Sequence, residues 1–235
     1  MDPWFNTIGA ETKLAPSALR DLRNEGVIVI PGPVPEANLA ELASAYDRAV
    51  LQADPADFGG GASTIRVHGL VNRGVEFDAL CLHAPVLEAC CRVIEQPFKL
   101  SSMLARTLNP QKPPQKLHVD FPSDEKAWPL VGFIFMVDEF RPENGATCFL
   151  PRSQGAKNPP ESTGGLVQAC GPAGSMIVYN GSAWHGHGAN VTDRPRRSIQ
   201  GAYIRRAEKS FVNPARIRPE TLDRMGPLAK YLLAM

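Results

Sequence analysis

The sequence predicts an α+β fold in which helices come first and a curled pair of antiparallel sheets follows. Three observations predict it. Helical periodicity dominates the first hundred residues and gives way, from Phe98, to short alternating or wholly apolar runs. Turns rich in Pro, Gly and Asn separate these runs, and the chain holds 20 glycines and 22 prolines in 235 residues, above the usual ~12% combined share. Short strands so closely spaced fold back as antiparallel neighbours, which makes a double-stranded β-helix, or jelly roll, the expected core. With 43% apolar residues the chain can bury such a core as one domain. The expected division is a mostly helical flank over 1–97, a jelly-roll core over 98–206 and a C-terminal helical segment over 207–235.

Taken in order, Pro16 opens an amphipathic helix through Leu19 and Leu22 that Gly26 stops. Val27–Ile30 reads as a short buried strand, ended by Pro31-Gly32-Pro33. Pro35 starts a helix with Leu39, Leu42, Ala43, Tyr46, Ala49 and Val50 at helical spacing. Asp54 to Ser63 is a Gly-rich loop, Ile65 to Leu70 a strand, and Pro85 to Ile94 a helix. Phe98–Leu108 is the first core strand. Leu130–Val137 is apolar on both parities, so it should be covered on both faces. Thr147–Leu150, Ser175–Tyr179 and Ser198–Ile204 complete the strands, and Pro219–Leu233 closes with a helix.

Charge excludes several functions. Lysine plus arginine is 25 against 24 acidic residues, so no general field draws the protein to nucleic acid or to an anionic membrane. The five cysteines are odd in number and lack a Cys-x-x-Cys pair, which argues for reduced, mostly buried thiols. With no basic and apolar leader after Met1, and no apolar run near the ~18 residues of a membrane span, the expected location is cytoplasmic. Oligomeric state is not legible.

Of the five histidines only one has a carboxylate two residues on, in His118-Val119-Asp120. On a strand those two side chains point the same way and can share one ion. A third ligand must come from a distant strand, and Trp184-His185-Gly186-His187 offers two. Two imidazoles and one carboxylate on one face of a metal form the facial triad of non-haem Fe(II) oxygenases, with open positions opposite. Locally, His185 and His187 are equal candidates. Downstream, Arg194-Pro195-Arg196-Arg197 precedes a strand whose Arg196, Ser198 and Gln200 share one parity. A polar face there suits a cavity wall, and a buried arginine suits the far carboxylate of a 2-oxoacid.

These residues resemble the phytanoyl-CoA hydroxylase-like family of Fe(II)/2-oxoglutarate dioxygenases. The resemblance rests on Gln115-Lys116-Leu117-His118-Val119-Asp120, on Glu143-Asn144-Gly145-Ala146-Thr147 with Leu150-Pro151-Arg152-Ser153-Gln154, and on Gly174–Gly181 followed by Trp184–Asn190. It implies that His118, Asp120 and His185 ligate iron. The register to Asn190 and Arg196 selects His185 over His187, and Arg196 becomes the partner of the distal carboxylate of 2-oxoglutarate. Thr147, Gln115 and Ser198 become polar neighbours of that co-substrate. Pro151-Arg152-Ser153-Gln154 departs from the family's usual Pro-Gly-Ser-His.

The implied reaction consumes O2 and 2-oxoglutarate, releases succinate and CO2, and hydroxylates an aliphatic C–H of a small molecule. In related halogenases the position of Asp120 is small and leaves room for chloride, so a carboxylate there implies a hydroxylase rather than a halogenase. Desaturation and ring formation begin with the same hydrogen abstraction. Arg66 and His68, on one strand face, and Arg106, sharing parity with Leu100, Leu104 and Leu108, are candidate substrate contacts. Asp54–Ser63 and Phe121–Trp128 are candidate lids. Two other functions use similar elements: a cupin-like metal-binding protein or isomerase without 2-oxoglutarate, and a protein hydroxylase or sensor. Arg196 speaks against the first, which has no need of it.

Overall fold

The computed structural model describes residues 2–123, 128–158 and 164–235. The helices are α1 (Pro3–Ala10), α2 (Pro16–Glu25), α3 (Leu39–Leu51), α4 (Asp78–Cys81), α5 (Ala84–Ile94), α6 (Pro219–Arg224) and α7 (Pro227–Leu232). The strands are β1 (Val27–Pro31), β2 (Phe58–Gly59), β3 (Thr64–Val67), β4 (Phe98–Leu108), β5 (Leu130–Met136), β6 (Thr147–Phe149), β7 (Val167–Ala169), β8 (Ser175–Asn180), β9 (His185–His187) and β10 (Arg196–Arg205).

The local rules explain most of these boundaries. Gly26 ends α2 with φ of 85°, and its N–H reaches back to the Leu22 carbonyl. Pro85 stands in the first turn of α5, where its missing N–H costs nothing. The C-terminal helix breaks in two at Met225-Gly226, because Pro227 cannot continue α6 and instead opens α7.

Seven strands form the major sheet in the order β1-β8-β5-β10-β4-β3-β2, and β7-β6-β9 form a smaller one; every pairing is antiparallel. This is the expected jelly roll, with helices flanking the major sheet. Three strands from the first third of the chain join that sheet, so 1–97 is more than a helical flank. β1 is an edge strand with only Ile28 buried, not the buried strand its composition suggests.

β5 is buried along its whole length, as its two apolar parities require. Phe133 and Phe135 pack with the helices, alongside Leu87, Val178 and Tyr203. Ile134 and Met136 face the small sheet, with Phe140, Phe149, Ile177 and Tyr179. Burying each such side chain contributes roughly 1.5–3 kcal/mol. The catalytic candidates line this second, inter-sheet space. Of the cysteines, Cys81, Cys90 and Cys91 are buried, whereas Cys170 is exposed.

Candidate metal centre

His118 and His185 face each other across the mouth of the barrel. Each donates its backbone N–H to the other's carbonyl at 2.9 Å, a two-bond bridge that joins the 112–118 segment to β9. His118-Val119-Asp120 is therefore not part of a regular strand, as the i, i+2 argument assumed, but an extended segment pinned at two places. Its second pin is Gly181, whose carbonyl accepts from both Asp120 N (2.9 Å) and Phe121 N (3.2 Å).

The result is a compact donor set. One ligand atom from each of His118, Asp120 and His185 lies within 4.8 Å of the others. Both imidazole Nε2 atoms stand 3.7 Å from Asp120 Oδ1. The Nδ1 of His185 is 2.9 Å from the Ala183 carbonyl, which fixes the tautomer that leaves Nε2 for a metal. Burial, then His185, pulls the His118 pKa down, keeping that ring in the neutral form a metal needs. Two imidazoles and a carboxylate on one side fit Fe(II) with open positions.

Two aromatic residues hold the donors in place. Phe149 stacks on His185 with ring centroids 5.3 Å apart and planes at 21°. Tyr179 lies 4.8 Å from the same ring and donates its hydroxyl to Asp120 Oδ2 at 2.5 Å. The phenol occupies space that Gly132 leaves open on β5: a Cβ there would stand 2.2 Å from Tyr179 Cζ. Phe140 supports the other end of the cavity. None of these was singled out from the sequence. The signal available for Tyr179 was Gly132, a residue without a side chain inside an otherwise apolar strand.

Because Tyr179 fixes the oxygen of Asp120 that faces away from the imidazoles, Tyr179→Phe is expected to lower iron affinity about 10- to 100-fold while the fold survives. Competition against a chelator measures this directly. Gly132→Ala should act in the same direction by displacing the phenol. Iron affinity equal to wild type in both would remove Tyr179 from the site.

Arg196 begins β10 and is only 2% exposed. Its guanidinium carbon lies 3.7 Å over the Phe140 ring, and its Nε and Nη1 have no hydrogen-bond partner. Burial, then Arg106, draws its pKa down to about 9, so it stays a cation at neutral pH. A buried, unpaired cation is costly unless a ligand completes it. Arg197, of opposite parity, faces outward and is bound by Asp138 and Asp47.

The remaining candidates are placed unevenly. Thr147 is buried on the inner face of β6, opposite His187. Gln115 Oε1 accepts from Arg106 Nη2 (3.0 Å) and from the His187 N–H (3.4 Å), which leaves its amide nitrogen as the donor. Ser198 shares the Arg196 face, but its hydroxyl donates across the sheet to the Arg106 carbonyl. Arg106 enters the cavity wall and Arg66 faces it from β3. His68 is exposed just beyond β3, its ring against Gly59. His187 adjoins the cavity, and burial lowers its pKa to about 4, the arginines adding to the effect.

Asn190, fully buried, ties the two ends of the site together. Its amide donates to the Asn109 and Arg194 carbonyls, and its backbone pairs with Lys112. The departure at Pro151–Gln154 has a structural cause. Arg152 takes φ of 61°, where glycine is usual, and holds Glu25; Gln154 donates to the last carbonyls of α2. Of the Phe121–Trp128 lid, residues 124–127 lie outside the described residues. The other candidate lid contains a helical turn and β2.

A profile of the phytanoyl-CoA dioxygenase (PhyH) family matches residues 22–198. The chain belongs to that family. Dioxygenase sphC of Aspergillus fumigatus is 28% identical over 193 residues, covering 72% of this chain and 51% of its own length. Dioxygenase cdmD of Talaromyces verruculosus is 33% identical over 112 residues, 44% of this chain and 35% of its own. The chain thus spans about half of the first of these relatives and about a third of the second. Among solved structures, HygX of Streptomyces hygroscopicus, with nickel, 2-oxoglutarate and hygromycin B bound, aligns with a TM-score of 0.69 at 19% identity, covering 84% of this chain and 90% of that one. The carbocyclase SnoK from nogalamycin biosynthesis aligns at 0.68 and 17%, covering 92% of each. The epimerase SnoN from the same biosynthesis aligns at 0.67 and 20%, covering 80% of each. These likenesses show the shared PhyH-like fold. No helix among the described residues is long and apolar enough to cross a membrane.

Proposed function

We propose that the protein is a cytoplasmic Fe(II)- and 2-oxoglutarate-dependent oxygenase that hydroxylates an aliphatic C–H bond of a small molecule. The observation that carries this reading is the pairing of an open His118–Asp120–His185 triad with Arg196, whose buried Nε and Nη1 lack partners and whose guanidinium packs on Phe140, in the same apolar cluster as the Phe149 that stacks on His185. A cupin-like metal protein has no use for such an arginine, and a dicarboxylate reaching from metal to guanidinium explains both ends at once.

In this reading His118, Asp120 and His185 hold Fe(II), which when bound supplies the redox chemistry that couples 2-oxoglutarate decarboxylation to substrate oxidation. Arg196 receives the distal carboxylate in its two-pronged fork, while Phe140 covers the guanidinium face. Gln115 and Thr147 supply hydrogen bonds beside the co-substrate. Ser198 keeps β10 locked to β4 and positions Arg196 rather than touching ligand. Asp120 fills the coordination position that chloride would need, and Tyr179 holds it there. Chlorination is therefore disfavoured.

A screen of candidate small molecules for succinate release, with Fe(II), 2-oxoglutarate and O2, tests the function. Product mass spectrometry in the presence of chloride tests the outcome: a gain of one oxygen is expected. An isomeric product or the loss of two hydrogens would keep the co-substrate chemistry and replace hydroxylation by epimerisation, ring formation or desaturation. A chlorinated product would refute the role given to Asp120. Binding of metal without any 2-oxoglutarate binding would restore the cupin-like function.

A further inference from the structure

Charge around the cavity goes beyond what a metal and its co-substrate require. Among the described residues three guanidiniums surround it: Arg196, Arg106 on β4, and Arg66 directly opposite Arg106 on β3. Like charges directly opposite on neighbouring strands destabilise a sheet. Arg106 is only 8% exposed, yet its partners are two neutral amides, Gln200 (3.2 Å) and Gln115 (3.0 Å), and its Nε has none. Arg66 Nε reaches only the Thr64 hydroxyl, at 3.2 Å. No carboxylate among the described residues forms an ion pair with either arginine.

A divalent metal with Asp120 leaves one positive charge, and Arg196 supplies another. The two carboxylates of 2-oxoglutarate neutralise both. Two positive charges then remain, whichever arginine meets which end of the co-substrate. Gln115 and Gln200 clamp Arg106 from two sides, so its position is set before any ligand arrives. Resting on the proposed oxygenase function, we infer that the substrate is anionic and that Arg106, with Arg66 opposite, grips its oxyanion, a carboxylate or a phosphate. This pair would set which end of the substrate enters first, and so which carbon faces the metal.

The test uses wild-type protein loaded with redox-inert nickel(II) and saturating 2-oxoglutarate. Calorimetric titration with benzoate and with methyl phosphate separates the two oxyanions, and benzamide is the neutral control. One oxyanion should bind with one-to-one stoichiometry and benzamide should not. Arg106→Met should weaken that binding at least about tenfold and 2-oxoglutarate binding no more than about threefold; Arg196→Ala should reverse the order. Ligand-free Arg106→Met should also melt higher than wild type, because a buried unpaired charge and its repulsion with Arg66 are gone. A purely structural arginine would give the opposite shift. Arg66→Gln, at a more open position, is the second variant and should weaken the same oxyanion. Absence of oxyanion binding by the loaded wild type overturns the inference. So does a loss of 2-oxoglutarate affinity in Arg106→Met as large as in Arg196→Ala, which would make Arg106 a co-substrate residue. Failure of the oxygenase reading itself would show separately, as no 2-oxoglutarate binding by the nickel-loaded wild type.

Discussion

Replacing any one of His118, Asp120 or His185 by alanine is expected to reduce iron affinity at least about 100-fold and to abolish turnover. Ligands outweigh the residues that orient them, and loss of an orienting residue alone costs 10- to 100-fold. The fold should persist, since its larger core lies elsewhere, between the helices and the major sheet. Asp120→Ala carries one extra cost: the Tyr179 hydroxyl loses its acceptor, which should destabilise the protein by about 1–3 kcal/mol. Asp120→Asn offers that hydroxyl an oxygen again and should recover stability without iron. Iron stoichiometry after anaerobic loading, beside thermal melting, separates the two effects. His187→Ala should still bind iron. If His187→Ala lost it and His185→Ala kept it, the ligand register would be off by two residues.

Arg196→Ala should weaken 2-oxoglutarate by about 30-fold or more and leave iron binding nearly unchanged. Removing one partner of a desolvated charge pair typically costs ~2–5 kcal/mol, much of it from the carboxylate left unpaired. Arg196→Lys should recover only part, because an ammonium cannot reproduce the planar fork that Phe140 covers. Arg197→Ala is the control. Its side chain is held by Asp138 and Asp47 on the other face, so its loss should affect stability and not affinity. Titration of the anaerobic Fe(II) protein with 2-oxoglutarate, followed by its metal-to-ligand charge-transfer absorption, reads the affinity. A larger loss in Arg197→Ala would reverse the parity of β10.

Much of this was legible from periodicity. Phe98–Leu108 is bounded in the structure as it reads in the sequence, and the double parity of β5 correctly announced two covered faces. The placement of Arg196 inside and Arg197 outside followed from alternation alone. What stayed hidden depends on contacts between distant segments. β7 has three residues and β2 only two, too few for a period to show. β1 reads as buried because its apolar composition does not reveal that it has a neighbour on one side only. Tyr179 looks like any core aromatic until Asp120, fifty-nine positions away, is brought to its hydroxyl. The His118–Asp120 pairing was anticipated for a strand that does not form, yet the extended chain gave the same side-chain proximity.

The two-bond bridge between His118 and His185 also ties the donor set to the completed fold. The two residues are 67 positions apart in sequence, and the elements that bring them together include β5, β6 and β8. A contact across such a separation carries a loop-closure cost that the pairing of the intervening strands offsets. Without that pairing the chain presents at most one histidine and one aspartate together, a weak chelate. Metal capture is in this sense a proof of completion: a chain stalled with the small sheet unformed lacks the third ligand, and therefore lacks the means to hold a redox-active ion beside exposed backbone.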